Sequence, residues 1–313
     1  MAAICKAGLC LLSLSGLWAA GFRPAAEPHA YGAQDLRFGV KVEMVSLYAT
    51  VHDRDGRLVT NLGQGDFVVY DNDAPQTLSR FSRDYMPLSV VILLDTSSSM
   101  VGRKLDSARD SLLQFLKRLN RGDEAMLITF NSRPVKKTEF TSDLDRIRRS
   151  LRRLEGIGST ALYDAVLLGL AQSGQAGHRR RMLLLLSDGM NTYGSAELRG
   201  TIAELRRGSA ELFAIGLESD LPEELTTRAV TRAVLEQLTA SAGGEAFIAV
   251  RPRDLARVCR EISDRMHHQY TFAYYPAAIN GPQWRSVRIE SRIPGLRIVP
   301  SKTGYFPAAG SGR

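Results

Sequence analysis

Leu88-Ser89-Val90-Val91-Ile92-Leu93-Leu94-Asp95-Thr96-Ser97-Ser98-Ser99-Met100 is an apolar run with β-branched residues that stops at a carboxylate and a cluster of hydroxyls. Without polar alternation, such a run reads as a strand buried on both faces of a parallel sheet. In open α/β sheets ligands bind beyond the carboxyl ends of the strands, where strand order reverses. Asp95, Ser97 and Ser99 therefore stand where a site is expected.

Moving outward, Arg181-Met182-Leu183-Leu184-Leu185-Leu186-Ser187-Asp188-Gly189 repeats the pattern of a buried strand ending on a carboxylate. Helical spacing over 104–119 puts Ala108, Leu112, Phe115, Leu116 and Leu119 on one face, and 124–130 reads as the next strand. Val135–Thr138 reads as an edge strand protected by Lys136 and Lys137. Leu144, Ile147, Leu151 and Leu154 mark a helix whose other side, Arg146–Arg153, is the densest basic patch of the chain. That patch reads first as a solvated face and second as an anion-binding surface. The loop 156–160 opens onto a helix from Ala161. A helix over 196–206, a strand at 211–215, a helix ending near Ser241, a strand at 246–250 and a helix over 254–267 follow. This alternation predicts α/β architecture with a doubly wound, mostly parallel sheet of about six strands.

The flanks change period. Val45, Leu47, Ala49 and Val51 alternate with polar partners, and Asp53-Arg54-Asp55-Gly56 then turns the chain. A turn is the reading there in preference to a calcium loop, because no Glu follows at the required distance and Gly56 comes two residues early. Phe67–Tyr70 and Thr77–Phe81 read as strands joined by 71–75. Beyond the last helix Tyr270, Phe272 and Tyr274 alternate, Asn280-Gly281-Pro282 turns the chain, Val287 and Ile289 alternate, and Gly295 opens a final strand through Ile298. Both ends of the chain are thus expected to build one small β-sandwich-like domain from whose edge the α/β domain is inserted.

The expected organisation is a signal peptide over 1–21, a flexible lead-in over 22–35 and a β-rich segment over 36–84. The α/β domain covers 87–268, a second β-rich segment 270–306 and a tail 307–313. Lys6, the apolar run after it and Ala19-Ala20-Gly21 have the pattern of a secretory signal, and no later stretch is apolar enough to span a membrane. Two of the three cysteines lie in that segment, which leaves Cys259 without an internal disulfide partner and reading as a small core residue. The formal charge of +8 is spread along helices and strands without a nucleic-acid-binding motif, so nucleic acid is not the expected partner.

Asp95, Ser97, Ser99, Thr160 and Asp188 offer only oxygen, which suits a hard divalent cation rather than zinc or copper. The competing reading is structural: Asp and Ser after a buried strand cap the next helix, and Thr160 caps its own. Asp95-Thr96-Ser97-Ser98-Ser99 resembles the Asp-x-Ser-x-Ser motif of von Willebrand factor type A domains. Thr160 and Ser187-Asp188-Gly189 match that family's second and third segments in order, over a likeness spanning 87–268. The resemblance implies a metal-ion-dependent adhesion site, with Ser97, Ser99 and Thr160 as hydroxyl ligands and Asp95 and Asp188 binding directly or through water. The ion would be Mg²⁺, with Mn²⁺ or Ca²⁺ possible.

The resulting expectation is a protein-binding module of a secreted, periplasmic or envelope protein, whose bound cation accepts a carboxylate from a partner protein. A structural, scaffolding envelope protein is the alternative. A hydrolase using Asp95 ranks last, because Ser97 stands where a phosphatase needs a second carboxylate. His267 and His268 point in different directions on a helix and make no shared site.

Overall fold

The computed structural model describes residues 44–152, 154–188, 191–217, 225–276 and 283–307. The described chain opens with β1 (Val45–His52), β2 (Phe67–Asp71), β3 (Ala74–Gln76) and β4 (Arg80–Ser82). The turn after β1 forms as its residues dictate: the Asp53 carboxylate accepts the N–H groups of Asp55 and Arg57 at 2.9 and 2.8 Å, and Gly56 takes φ +79°. The connection read over 71–75 is shorter than expected. Asn72 and Asp73 alone turn the chain, at φ 46° and 63°, a conformation short polar side chains tolerate. Ala74–Gln76 is already paired with β2, and the strand expected over 77–81 starts only at Arg80.

From Leu88 strands and helices alternate as β5 (Leu88–Asp95), α1 (Arg103–Lys117), β6 (Glu124–Phe130), β7 (Pro134–Lys136), α2 (Leu144–Leu151) and α3 (Leu162–Ser173). β8 (Arg180–Ser187), α4 (Leu198–Arg207), β9 (Glu211–Leu217), α5 (Leu225–Ala242), β10 (Ala246–Val250) and α6 (Leu255–His267) complete the layer. The sheet order is β10-β9-β8-β5-β6-β7, parallel except for the edge strand β7. Every residue of β5 is buried, which is why its sequence shows no alternation. Val90, Ile92 and Leu94 face Leu112, Phe115 and Ile262 on one side, while Val91 and Leu93 face Leu162, Val166 and Leu238 on the other. Cys259 is buried in the first of these cores. Strand order reverses at β5, whose neighbours are β6 and β8, so the crevice of a doubly wound sheet lies at Asp95.

The chain then returns through β11 (Tyr270–Tyr274), β12 (Arg285–Ser291), β13 (Arg297–Pro300) and β14 (Gly304–Tyr305). Among the described residues these join the first strands in two antiparallel sheets, β13-β1-β11-β4 and β14-β12-β2-β3. Leu47, Val51 and Phe272 of one sheet share a core with Phe67, Val69, Val287 and Ile289 of the other, a small sandwich drawing on both flanks of the α/β layer. All five residues of β11 are buried, and Thr271 Oγ1 donates to Met86 Sδ at 3.4 Å. One expectation needs correction. Gly295 belongs to a turn at φ +82°, and its strand begins at Arg297.

At the end of the sheet opposite Asp95, Arg180 and Glu211 begin β8 and β9 beneath the sandwich. The Arg180 guanidinium lies over the Tyr48 ring, 5.6 Å from its centroid, and donates to Gln269 Oε1 at 2.6 Å, while Gln269 Nε2 donates to Glu211 at 3.2 Å. The signal read over 1–21, the lead-in and the turn at Asn280-Gly281-Pro282 lie outside the described residues.

Candidate functional site

Asp95 is wholly buried at the end of β5, and both of its oxygens are engaged: Oδ1 accepts the Ser97 N–H at 2.8 Å and Oδ2 accepts the Ser187 hydroxyl at 2.5 Å. The Ser97 and Ser99 hydroxyls are hydrogen-bonded at 3.0 Å, and Ser99 Oγ donates to Asp188 Oδ1 at 2.7 Å. The hydroxyls are not there to cap a helix. Ser97 precedes a 3₁₀ turn, Ser98–Met100, yet its side chain caps none of that turn's backbone N–H groups and bonds the Ser99 hydroxyl instead.

The loop that carries Thr160 is bonded to the loop after β5. Ile157 N–H donates to the Thr96 carbonyl at 2.9 Å, and Ser98 N–H donates to the Gly158 carbonyl at 3.0 Å. The approach is close: a Cβ on Gly156 would stand 2.7 Å from Val101 Cγ2 and 3.1 Å from the Ser97 carbonyl, and Gly158 takes φ +83°. On its other side the buried Thr160 accepts the N–H groups of Thr192 and Tyr193 at 2.9 and 3.1 Å. The cap of α3 is Ala161, so Thr160 is not serving as that cap. The structure therefore joins Asp95, Ser97, Ser99 and Asp188 side chain to side chain or through backbone N–H, while the loop of Thr160 is bonded through its backbone to the loops after β5 and β8. Gly189 lies outside the described residues.

Burial pushes the Asp95 carboxyl up, to about 6, against the Ser187 and Ser97 hydrogen bonds that favour its charged form; the nearby Asp188 charge adds to the rise. Negative charge so concentrated calls for a cation, and the protein brings one of its own. Lys104 Nζ donates to Asp188 Oδ2 at 2.6 Å and to the Ser99 carbonyl at 3.3 Å, with 9% of the Lys104 side chain and 2% of the Asp188 side chain exposed. An all-oxygen donor set around buried carboxylates fits a hard divalent ion. Sequence reasoning had Ser187 only as part of the third motif segment, without its bond to Asp95, and missed Lys104. Lys104 had a signal: a cation in the first turn of a helix opposes the helix dipole and needs a reason to be there.

The family profile described as von Willebrand factor type A domain matches residues 90–191, which hold every one of these site residues. The human inter-alpha-trypsin inhibitor heavy chain H4 is 27% identical over 174 residues, 51% of this chain and 18% of that protein. An uncharacterized Synechocystis protein is 25% identical over 187 residues, 58% of this chain and 42% of the other. The chain thus spans less than half the length of either relative. Among solved structures, a von Willebrand factor type A protein from Catenulispora acidiphila superposes with a TM-score of 0.51 at 13% identity, covering 87% of this chain and 76% of its own. Matched segment, switch-point site and fold agree: this chain carries a von Willebrand factor type A domain.

Proposed function

We propose that the chain is a divalent-cation-dependent protein-binding module of a secreted or envelope protein. Asp95, Ser97, Ser99, Thr160 and Asp188 would hold the ion, Mg²⁺ by preference, with Mn²⁺ or Ca²⁺ able to substitute. When bound, such an ion is an electrophile able to take a carboxylate from a partner protein. The chain's own residues prepare that role: Ser187 and the Ser97 N–H orient Asp95, and Ser99 orients Asp188.

The observation that carries the reading is the run Asp95-Ser97-Ser99-Asp188 at the sheet's switch point, where Asp95 takes the Ser97 backbone N–H and the Ser97, Ser99 and Asp188 oxygens are bonded in series. Its surroundings agree. Val101, Ile157 and Tyr193, one from each of the three loops, are 59%, 67% and 59% exposed, and apolar residues around a polar centre are what a protein interface uses. An enzymatic role is not part of the proposal. Both Asp95 oxygens are committed to hydrogen bonds, and Asp188 is paired with Lys104 instead of standing free as an acid or base. Among the described residues no helix is long and apolar enough to cross a membrane.

Isothermal titration of the protein with Mg²⁺ tests the reading. A saturable heat in the native chain that is lost in Asp95→Ala, together with partner capture abolished by EDTA, is the expected result. One observation favours the scaffolding alternative: Lys104 already neutralises Asp188 without a metal. A native chain giving no Mg²⁺ heat would select that alternative.

A further inference from the structure

The rim of the candidate ion site runs into a basic groove, and nothing in the fold requires those charges. A cleft of about 260 Å³ beside the ion loop is lined by Thr96, Arg133, Val135, Lys137, Glu155 and Ile157, among others. Thr96 lies between the candidate ligands Asp95 and Ser97. Lys137 also lines a second cleft of about 520 Å³, together with Thr138, Arg146, Arg149, Ser150 and Arg152. Arg133, Lys137, Arg146, Arg149 and Arg152 are all exposed. None of the five pairs with a described carboxylate; of the acids close in sequence, Asp145 holds Arg148 at 2.7 Å and Glu139 holds Lys136 at 2.6 Å. Glu155 is the single carboxylate lining the two clefts, at the end nearest the ion loop. Arg153 lies outside the described residues.

We propose that the partner presents an acidic polypeptide segment, one carboxylate going to the ion and its flanking Asp and Glu side chains lying along the groove from Arg133 and Lys137 to Arg146, Arg149 and Arg152. This rests on the cation-dependent reading above and extends it by naming the partner's chemistry. A polypeptide fits better than a sulfated polysaccharide or a nucleic acid, because the groove starts at a site for a carboxylate. Its walls also include Val135 and Ile157, 38% and 67% exposed, which suit the apolar side chains of a mixed sequence. Individually such exposed charge pairs contribute little, but several complementary ones raise association rate and selectivity, and all weaken with salt.

The test is fluorescence anisotropy of a dye-labelled Asp/Glu-rich peptide with the full chain in Mg²⁺, beside a control peptide in which all but one acid is replaced by its amide. In the R146Q/R149Q/R152Q variant, checked for native circular dichroism, affinity for the acidic peptide is expected to fall about tenfold and to lose much of its salt dependence. The control peptide should bind both proteins alike. Equal binding of the acidic peptide by variant and native chain overturns the groove, as does binding of heparin or nucleic acid in preference to the peptide. EDTA separates the two readings. Loss in EDTA with an indifferent triple variant leaves the ion site standing and removes the groove, whereas binding that survives EDTA and fails in the triple variant does the reverse.

Discussion

Lys104 carries the most information per residue in this chain. It sits in the first turn of α1, where the helix dipole disfavours a cation, and its burial removes it from water. Asp188 and the Ser99 carbonyl offset both costs. Lys104→Met leaves the Asp188 carboxylate buried without its counter-charge, and should lower stability in EDTA by about 3 kcal/mol. Mg²⁺ should recover more stability in this variant than in the native chain, since a competing positive charge has gone. Urea unfolding with and without Mg²⁺ measures both; a variant as stable as the native chain in EDTA would sink the argument. The oxygen residues were legible from the sequence because each follows a buried run or opens a helix. Lys104 was passed over because helical spacing alone accounted for it.

Among the elements, β5 organises the rest. Its two faces belong to two different cores, so each of its side chains is packed by helices on one side and held in register by β6 and β8. Leu93 packs where α3 comes closest: a Cβ on Gly169 would stand 3.0 Å from Leu93 Cδ2. Leu93→Ala should therefore open a cavity under α3 and cost about 3 kcal/mol in chemical denaturation. A cost below about 1 kcal/mol would mean that α3 collapses into the space, contrary to the rigid packing described. The element pattern itself was readable, since uninterrupted apolar runs and helical spacing are local signals. The errors fell on short segments of the sandwich. Asn72-Asp73 turned the chain sooner than composition implied, and the final strand began at Arg297, with Gly295 in the turn before it.

At the scale of the whole molecule, the junction under the sandwich has its own pH dependence. Burial pushes the Glu211 carboxyl up from 4.5 to about 7, against the attraction of Arg180, the Gln269 hydrogen bond and Lys302. The folded chain therefore holds a proton that the unfolded chain releases between those values. Stability from this group is greatest at the acid end and falls as pH rises through about 7, a gap worth about 3 kcal/mol. Glu211→Gln, neutral at every pH, should flatten the change in melting temperature between about pH 5 and about pH 8; an unchanged profile would place the titration elsewhere. By itself the sequence determined the alternation of strands and helices, the buried central strands and the carboxylates at their ends, because periodicity and strand-end residues are written locally. Only the tertiary structure decided which loops meet, that Lys104 and Ser187 complete the cluster, that Arg133, Lys137 and the α2 arginines line neighbouring clefts, and that Arg180 and Glu211 share one buried junction. Those juxtapositions depend on strand order and register, which bring together residues far apart along the chain and leave no trace in the spacing of any one segment.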